Sequence, residues 1–250
     1  MRFFLELAYN GTRLCGWQRQ PNAPSVQQTI EDVFAMMLRQ KVDITGCGRT
    51  DTGVHARQYF AHFDFDDAFP KNFLERANKL VGQDIALRKI MPVSDEAHAR
   101  FDATSRSYQY IISFQKNPFF TETEWFFEQK DRLDREKMQK AAELLRGYSE
   151  FGPFCKTHSD AQTMRCEVTK SEWIFADDRA LFNIAANRFL RGMVRLIVGM
   201  CINAGLGQMT LDDVKEALDS QTPLKKSYSV PPTGLFLTDI KYPFIMMNEE

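Results

Sequence analysis

Apolar and polar residues alternate from Arg2 to Ala8, with Phe3, Leu5 and Leu7 on one face, the two-residue period of a half-buried strand. Turn residues follow from Asn10-Gly11 through Gly16 and Pro21 to Pro24, and the period then changes. Val26, Ile30, Val33, Phe34, Met37 and Leu38 mark one helical face behind Ser25 and Gln28, a capping-box pattern, which predicts a helix from about Val26 to Arg39. The glycine-rich stretch Gly46 to Gly53 leads into a second alternating strand, roughly Gln58 to Phe65. Pro70 suits the start of a short helix whose Leu74, Ala77 and Val81 face inward, and a strand near Ile85 to Met91 completes the first half.

The second half repeats the style. Ser107 to Phe114 alternates, with Tyr108, Tyr110, Ile112 and Phe114 on one face, and a helix is predicted from about Arg135 to Leu145 with Gly147 placed to stop it. Strands near Val168 to Phe175 and Leu181 to Ala186 are joined by Asp177-Asp178-Arg179 as a hairpin. A long helix from Phe189 to Ala204, a shorter one from Leu211 to Leu218 capped by Thr210, and a last strand from Gly234 to Ile240 complete the reading. Strands and helices mixed without strict alternation predict an α+β fold with a largely antiparallel sheet. A boundary near Ala97 to Ala103 divides the chain into two halves of comparable content, taken as 1–100 and 101–250.

Composition narrows the class without changing that picture. A chain of 250 residues with 44% hydrophobic and 26% charged residues is an ordinary globular protein, neither disordered nor fibrous. Met1 to Asn10 lacks the basic, apolar and small-residue sequence of a signal peptide, which points away from secretion. The longest apolar-biased stretch, Met193 to Leu206, carries Arg195 and Asn203 and falls short of the ~20 residues that cross a bilayer. Cys15, Cys47, Cys155, Cys166 and Cys201 are odd in number and include no C-x-x-C pair, so neither a disulfide framework nor a structural zinc site is expected, and the expected compartment is a reducing cytoplasm. His55, His62, His98 and His158 do not fall at a metal-binding spacing, and Met36-Met37 and Met246-Met247 read as core and tail.

The formal net charge is −1, so the whole chain is not the strongly basic body of many nucleic-acid binders. Its distribution says more. Acidic runs fall at Asp64-Phe65-Asp66-Asp67, between Glu122 and Asp134 and at Glu249-Glu250, whereas Arg49, Arg57, Arg188, Arg191 and Arg195 surround the densest motif and the late helix. That pattern fits a local positive cleft on a neutral protein, and equally two ordinary solvated faces.

The densest motif is Gly46-Cys47-Gly48-Arg49-Thr50-Asp51-Thr52-Gly53-Val54-His55-Ala56-Arg57. A dinucleotide-binding fingerprint would need a third glycine where Asp51 stands and a helix rather than a strand afterwards. Asp51-Thr52-Gly53 matches the D-T-G of aspartic proteases, whose two aspartates share a proton. No second D-T-G or D-S-G occurs in the chain, and Arg49 as a close cation favours the ionised carboxylate, so a protease would need a second copy of the chain. The third reading is an ionised, arginine-paired aspartate acting as a nucleophile on an anionic substrate. Cys47 beside the motif reads as small-residue packing.

Gly48 to His55, G-R-T-D-x-G-V-H, resembles the signature of the TruA family of tRNA pseudouridine synthases. Four further segments match in order: Tyr9-Asn10-Gly11 through Gly16-Trp17-Gln18-Arg19-Gln20; Phe101-x-Ala103-Thr104-x-Arg106-x-Tyr108-x-Tyr110; Phe189 through Met193-Val194-Arg195 and Val198-Gly199; and Gly234-Leu235-Phe236-Leu237. The resemblance spans nearly the whole chain. It implies the pseudouridine synthase fold, a largely antiparallel mixed sheet with flanking helices in two similar α+β halves with a cleft between them. The first half would carry the catalytic Asp loop, the second the Tyr and Arg of the active site.

The implied activity is isomerisation of uridine to pseudouridine in the anticodon arm of tRNA, at positions 38, 39 and/or 40, by a homodimer that needs no metal and no organic cofactor and touches no membrane. Asp51 matches the family's catalytic aspartate, a nucleophile toward either base or ribose, and Arg195 the cation that keeps it ionised. Tyr108 matches the active-site tyrosine that stacks on the target base and removes a proton, a phenol offering both a π-face and a polar tip. Arg49 resembles the arginine that helps extrude the nucleotide. Leu235 and Leu237, two apart on the last strand, suit either an apolar wall behind the base or plain core. A non-catalytic tRNA-binding or folding protein is the alternative from another class, disfavoured by the joint presence of Asp51, Tyr108 and Arg195.

Overall fold

A computed structural model describes residues 1–21, 23–156 and 162–245; His158, Met246-Met247 and Glu249-Glu250 lie outside the described residues. The chain forms two compact units, Met1–Thr104 with Phe236–Glu250, and Ser105–Leu235. The terminal segment thus counts with the first unit, which no linear division of the chain anticipates. Helices and strands are mixed in both, and strand pairing is mostly antiparallel.

In the first unit β1 (Arg2–Tyr9) lies between β4 (Ile85–Val93) and β3 (His55–Asp64), antiparallel to both. A two-residue strand, β2 (Thr45–Gly46), pairs antiparallel with β3, whose start is joined in parallel by β9 (Leu235–Lys241) through His55 with Phe236 and Ala56 with Leu237. Helix α1 spans Val26–Leu38. The Ser25 side chain accepts from the Gln28 amide at its start, and Arg39 in the left-handed region ends it. Its Phe34 packs edge-on against Phe63 and Phe73, at 5.3 and 4.9 Å between centroids. Burial of each such ring contributes roughly 1.5–3 kcal/mol. Helix α2 spans Phe73–Leu80 and starts three residues later than Pro70 suggests, because Asn72 adopts a left-handed conformation (φ 55°) that no helix interior accepts.

In the second unit β5 (Ser105–Ser113), β8 (Arg179–Ala186) and β7 (Val168–Phe175) form an antiparallel set, with the short β6 (Trp125–Phe126) parallel to β5. Helix α3 spans Arg135–Leu144 behind the N-cap Asp134. Helix α5 spans Leu211–Ser220 and is closed by a complete capping box between Thr210 and Asp213. Helix α4 spans Met193–Gly205, so the expected start at Phe189 is corrected by four residues. Gly192 precedes it with φ 71°, a conformation open to glycine, and releases Phe189 to Arg191 from the helix. Every residue of α4 is buried except Arg195. Among the described residues no helix is long and apolar enough to cross a membrane.

Candidate functional site

The motif around Asp51 leaves the sheet and returns to it, and what holds it in between is aromatic. Gly46 pairs with Ala61, and the Cys47 amide donates to the Phe60 carbonyl at 2.8 Å, after which the loop has left the sheet. The Tyr59 hydroxyl then donates to the Gly48 carbonyl. Tyr59 is wholly buried, stacked on Trp17 at 4.2 Å and 24° and tilted against Tyr9 at 5.6 Å. Tyr9 in turn shares a hydrogen bond between its hydroxyl and Thr50 Oγ1 at 2.9 Å, and the Trp17 amide donates to the Thr50 carbonyl at 3.4 Å. Residues 48 and 50 are thereby fixed, while Arg49 is exposed and Asp51 half-buried. Gly16 makes the approach feasible: its φ is 77°, and any side chain on it would run into the Thr50 carbonyl.

Beyond Asp51 the Val54 amide donates to the Asp51 carbonyl at 3.2 Å and the Gly53 amide to Leu14 at 3.3 Å, turning the chain into β3. His55 is buried; its Nδ1 accepts from the Gly11 amide at 3.1 Å and its ring stacks on Phe236 at 4.6 Å. The Arg57 guanidinium also lies over Phe236, 4.8 Å from the ring centre. From α1, Gln27 bonds Gln18 and the Ile44 carbonyl, and the buried Glu31 accepts from the Ile44 amide and from Arg19. The segment Tyr9 to Gln20, distant in sequence from Asp51, is therefore the other wall of its loop.

In the second unit Tyr108 sits half-buried on β5 opposite Ile184 and meets the edge of Phe189, rings 5.1 Å apart at 86°. That contact exists because Gly192 stops the helix short of Phe189. Arg195 occupies the first turn of α4, where the helix dipole disfavours a cation. What offsets this is a hydrogen bond from Arg195 Nε to the Val230 carbonyl at 2.7 Å, with the Val230 amide returning to the Arg195 carbonyl at 3.3 Å. The Tyr110 hydroxyl donates to the adjacent Pro231 carbonyl at 2.8 Å. Burial pushes the Tyr110 phenol up, opposed by the charge of Arg195. Tyr110, two residues beyond Tyr108 on the same strand, is thus linked to Arg195 through Val230-Pro231.

The first unit therefore holds Arg49 and Asp51 on one braced loop, and the second holds Tyr108 on β5 and ties Arg195 to Val230 beside Tyr110. Leu235 ends the second unit, while Leu237 lies in β9 within the first; both are buried, as is Phe236 between them. Arg188 is half-buried and Arg191 exposed, both in the second unit ahead of α4. Tyr59 is the residue that pattern reading treats as ordinary strand; its hydroxyl, on a wholly buried ring, is the local sign of a polar duty. Among the described residues no group of three or more His, Cys, Asp or Glu side chains is arranged to hold a metal ion.

A family model described as tRNA pseudouridine synthase matches residues 141–243. A protein of Azobacteroides pseudotrichonymphae named tRNA pseudouridine synthase A is 45% identical over 243 residues, 97% of each chain. Proteins of the same name from Porphyromonas gingivalis and Francisella tularensis subsp. novicida are 43% and 32% identical, over 97% and 96% of this chain and 97% and 94% of theirs.

Proposed function

Since the chain belongs to the tRNA pseudouridine synthase A family, we propose that it isomerises uridine to pseudouridine in the anticodon stem-loop of tRNA, with Asp51 as nucleophile and without metal or organic cofactor. The observation that carries this reading is the 45% identity to a tRNA pseudouridine synthase A across 97% of both chains.

The reaction breaks the bond from ribose C1′ to N1, turns the base while it is held, and joins C1′ to C5. The proton lost from C5 is matched by one gained at N1, so every atom of the uracil ring is retained and no co-substrate or electron donor is required. Asp51 supplies the nucleophile, toward base or ribose. The fixed carbonyl and hydroxyl contacts of Gly48 and Thr50 support that role, since an attacking carboxylate must be held in place before the base arrives. Tyr108 stacks on the base and takes the C5 proton, and Arg195 supplies the countercharge to Asp51. Arg49, exposed beside Asp51, assists extrusion of the nucleotide, and Leu235 and Leu237 form an apolar wall behind the base. The working form is a homodimer in the cytoplasm, one tRNA touching both subunits.

Incubation of the pure protein with an unmodified tRNA transcript, followed by mapping of pseudouridine at single-nucleotide resolution, tests the reading. Pseudouridine at one or more of nucleotides 38, 39 and 40 is expected in the presence of a chelator. Pseudouridine elsewhere only, or none, would overturn it.

A further inference from the structure

Between β4 and β5 the chain makes a closed turn from Ala97 to Asp102. The His98 amide donates to Asp102 Oδ2 at 2.7 Å, the Asp102 amide to the His98 carbonyl at 3.1 Å, and the amides of Arg100 and Phe101 to His98 Nδ1 at 3.1 and 3.3 Å. Three groups tie the turn to the body of the first unit. Arg2 donates to the Ala97 carbonyl at 3.0 Å, the Ala99 amide to His62 Nδ1 at 3.1 Å, and the Tyr242 hydroxyl to the Ala99 carbonyl. On this rigid base stands Phe101, 74% exposed. Its ring tilts against His98 at 4.2 Å, and His98 meets the buried His62 at 4.6 Å, so a row of rings runs from the core to the surface. The exposed Arg100 guanidinium lies 5.6 Å from the Phe101 centroid.

An exposed phenylalanine on a floppy loop would need no explanation. One held out by a turn bonded throughout is pre-organised, with little conformational entropy left to lose on meeting a partner. A protein partner needs roughly 800 Å² of continuous surface on each side, whereas Arg100 beside this ring, and Glu96 and Thr104 near it in sequence, are exposed and polar. A single nucleobase needs one ring face, and an adjacent arginine adds both a cation and a phosphate contact. We propose that Phe101, with Arg100 beside it, is a stacking platform for an unpaired nucleotide of the RNA substrate, separate from the nucleotide that reacts. This rests on the reading of the protein as a tRNA-modifying enzyme.

The test is equilibrium binding of an unmodified tRNA transcript to the wild-type protein, Phe101→Ala and Phe101→Trp, over a series of salt concentrations, with pseudouridine formation measured in parallel. Loss of one base–aromatic stack weakens binding roughly tenfold in the Ala variant. The loss should appear in KM rather than kcat, with the slope of log affinity against log salt unchanged because no phosphate contact is removed. The Trp variant should bind at least as tightly as wild type, and its emission should fall when tRNA is added. Wild-type affinity in Phe101→Ala, alongside normal wild-type activity, would overturn the platform and leave the enzyme reading intact. A drop in oligomeric mass in the Ala variant would also overturn it, by assigning the ring to a contact between copies of the chain. A wild-type protein that neither binds nor modifies tRNA would remove the reading on which the platform rests.

Discussion

The Tyr59 hydroxyl donates to the carbonyl of Gly48, eleven residues earlier in the chain, and so couples the middle of β3 to the residue that precedes Arg49. The ring is immobilised by Trp17 and Tyr9, so the loop inherits the rigidity of the sheet without a backbone ladder of its own. Tyr59→Phe keeps the stack and removes the bond. A stability loss of about 1 kcal/mol is expected in urea unfolding, together with a several-fold fall in kcat for pseudouridine formation at nearly constant KM. Unchanged kinetics in this variant would mean that the loop keeps its place without the hydroxyl.

Asp51→Asn should abolish pseudouridine formation while leaving tRNA affinity within a few fold. On the proposed mechanism the nucleophile is lost, whereas the phosphate contacts that dominate RNA binding are untouched. Filter binding and product mapping on the same preparation decide the matter, and appreciable turnover by the Asn variant would reject Asp51 as nucleophile.

Arg195 is the only residue of α4 not buried, and it holds the Val230 carbonyl. Arg195→Met removes a charge-assisted hydrogen bond, expected to cost roughly 1.5–3 kcal/mol in thermal or urea unfolding, along with most activity. Arg195→Lys restores a charge but not the Nε geometry, and an intermediate defect is expected. Full activity in the Met variant would show that the residue serves stability alone.

Burial lowers the pKa of His62 from 6.5 to about 4, with His98 as the next contribution. The geometry agrees, since Nδ1 accepts from the Ala99 amide and must be unprotonated to do so. The unfolded chain therefore binds more protons than the native one between those values. Stability is fully present above about pH 6.5 and declines as the pH falls toward 4, by about 3 kcal/mol at most. In His62→Asn the side-chain oxygen can take over the amide contact without titrating, so urea midpoints measured from pH 7 to pH 4 should flatten. An equally steep decline in the Asn variant would place the acid sensitivity elsewhere.

Elements whose pattern is local were legible in the chain. The alternation in Arg2–Tyr9 and Val168–Phe175, the helical period of Val26–Leu38 and the Thr210 cap all appear where they were expected. The helices read too early, from Pro70 and Phe189, fail for one reason: apolar content and a proline say nothing of the left-handed residues, Asn72 and Gly192, that set the true starts. Pairing at long range was not legible either. The Ile240 amide donates to Gln58, 182 residues away, and no period in either segment announces it. At the candidate site the aspartate motif could be read as a string of residue types. Tyr59 could not, because its partner is a backbone carbonyl and backbone carbonyls carry no sequence.

The parallel pairing of β9 with β3 has a consequence for synthesis. A ribosome finishes residues 1–104 long before it reaches Phe236, and during that interval the start of β3 waits with an open edge while His55 lacks the ring it stacks on. The first unit is closed only when the last strand emerges. Prematurely terminated products therefore keep an unpaired edge at the start of β3 and a His55 without its stacking partner, whatever else of them has folded.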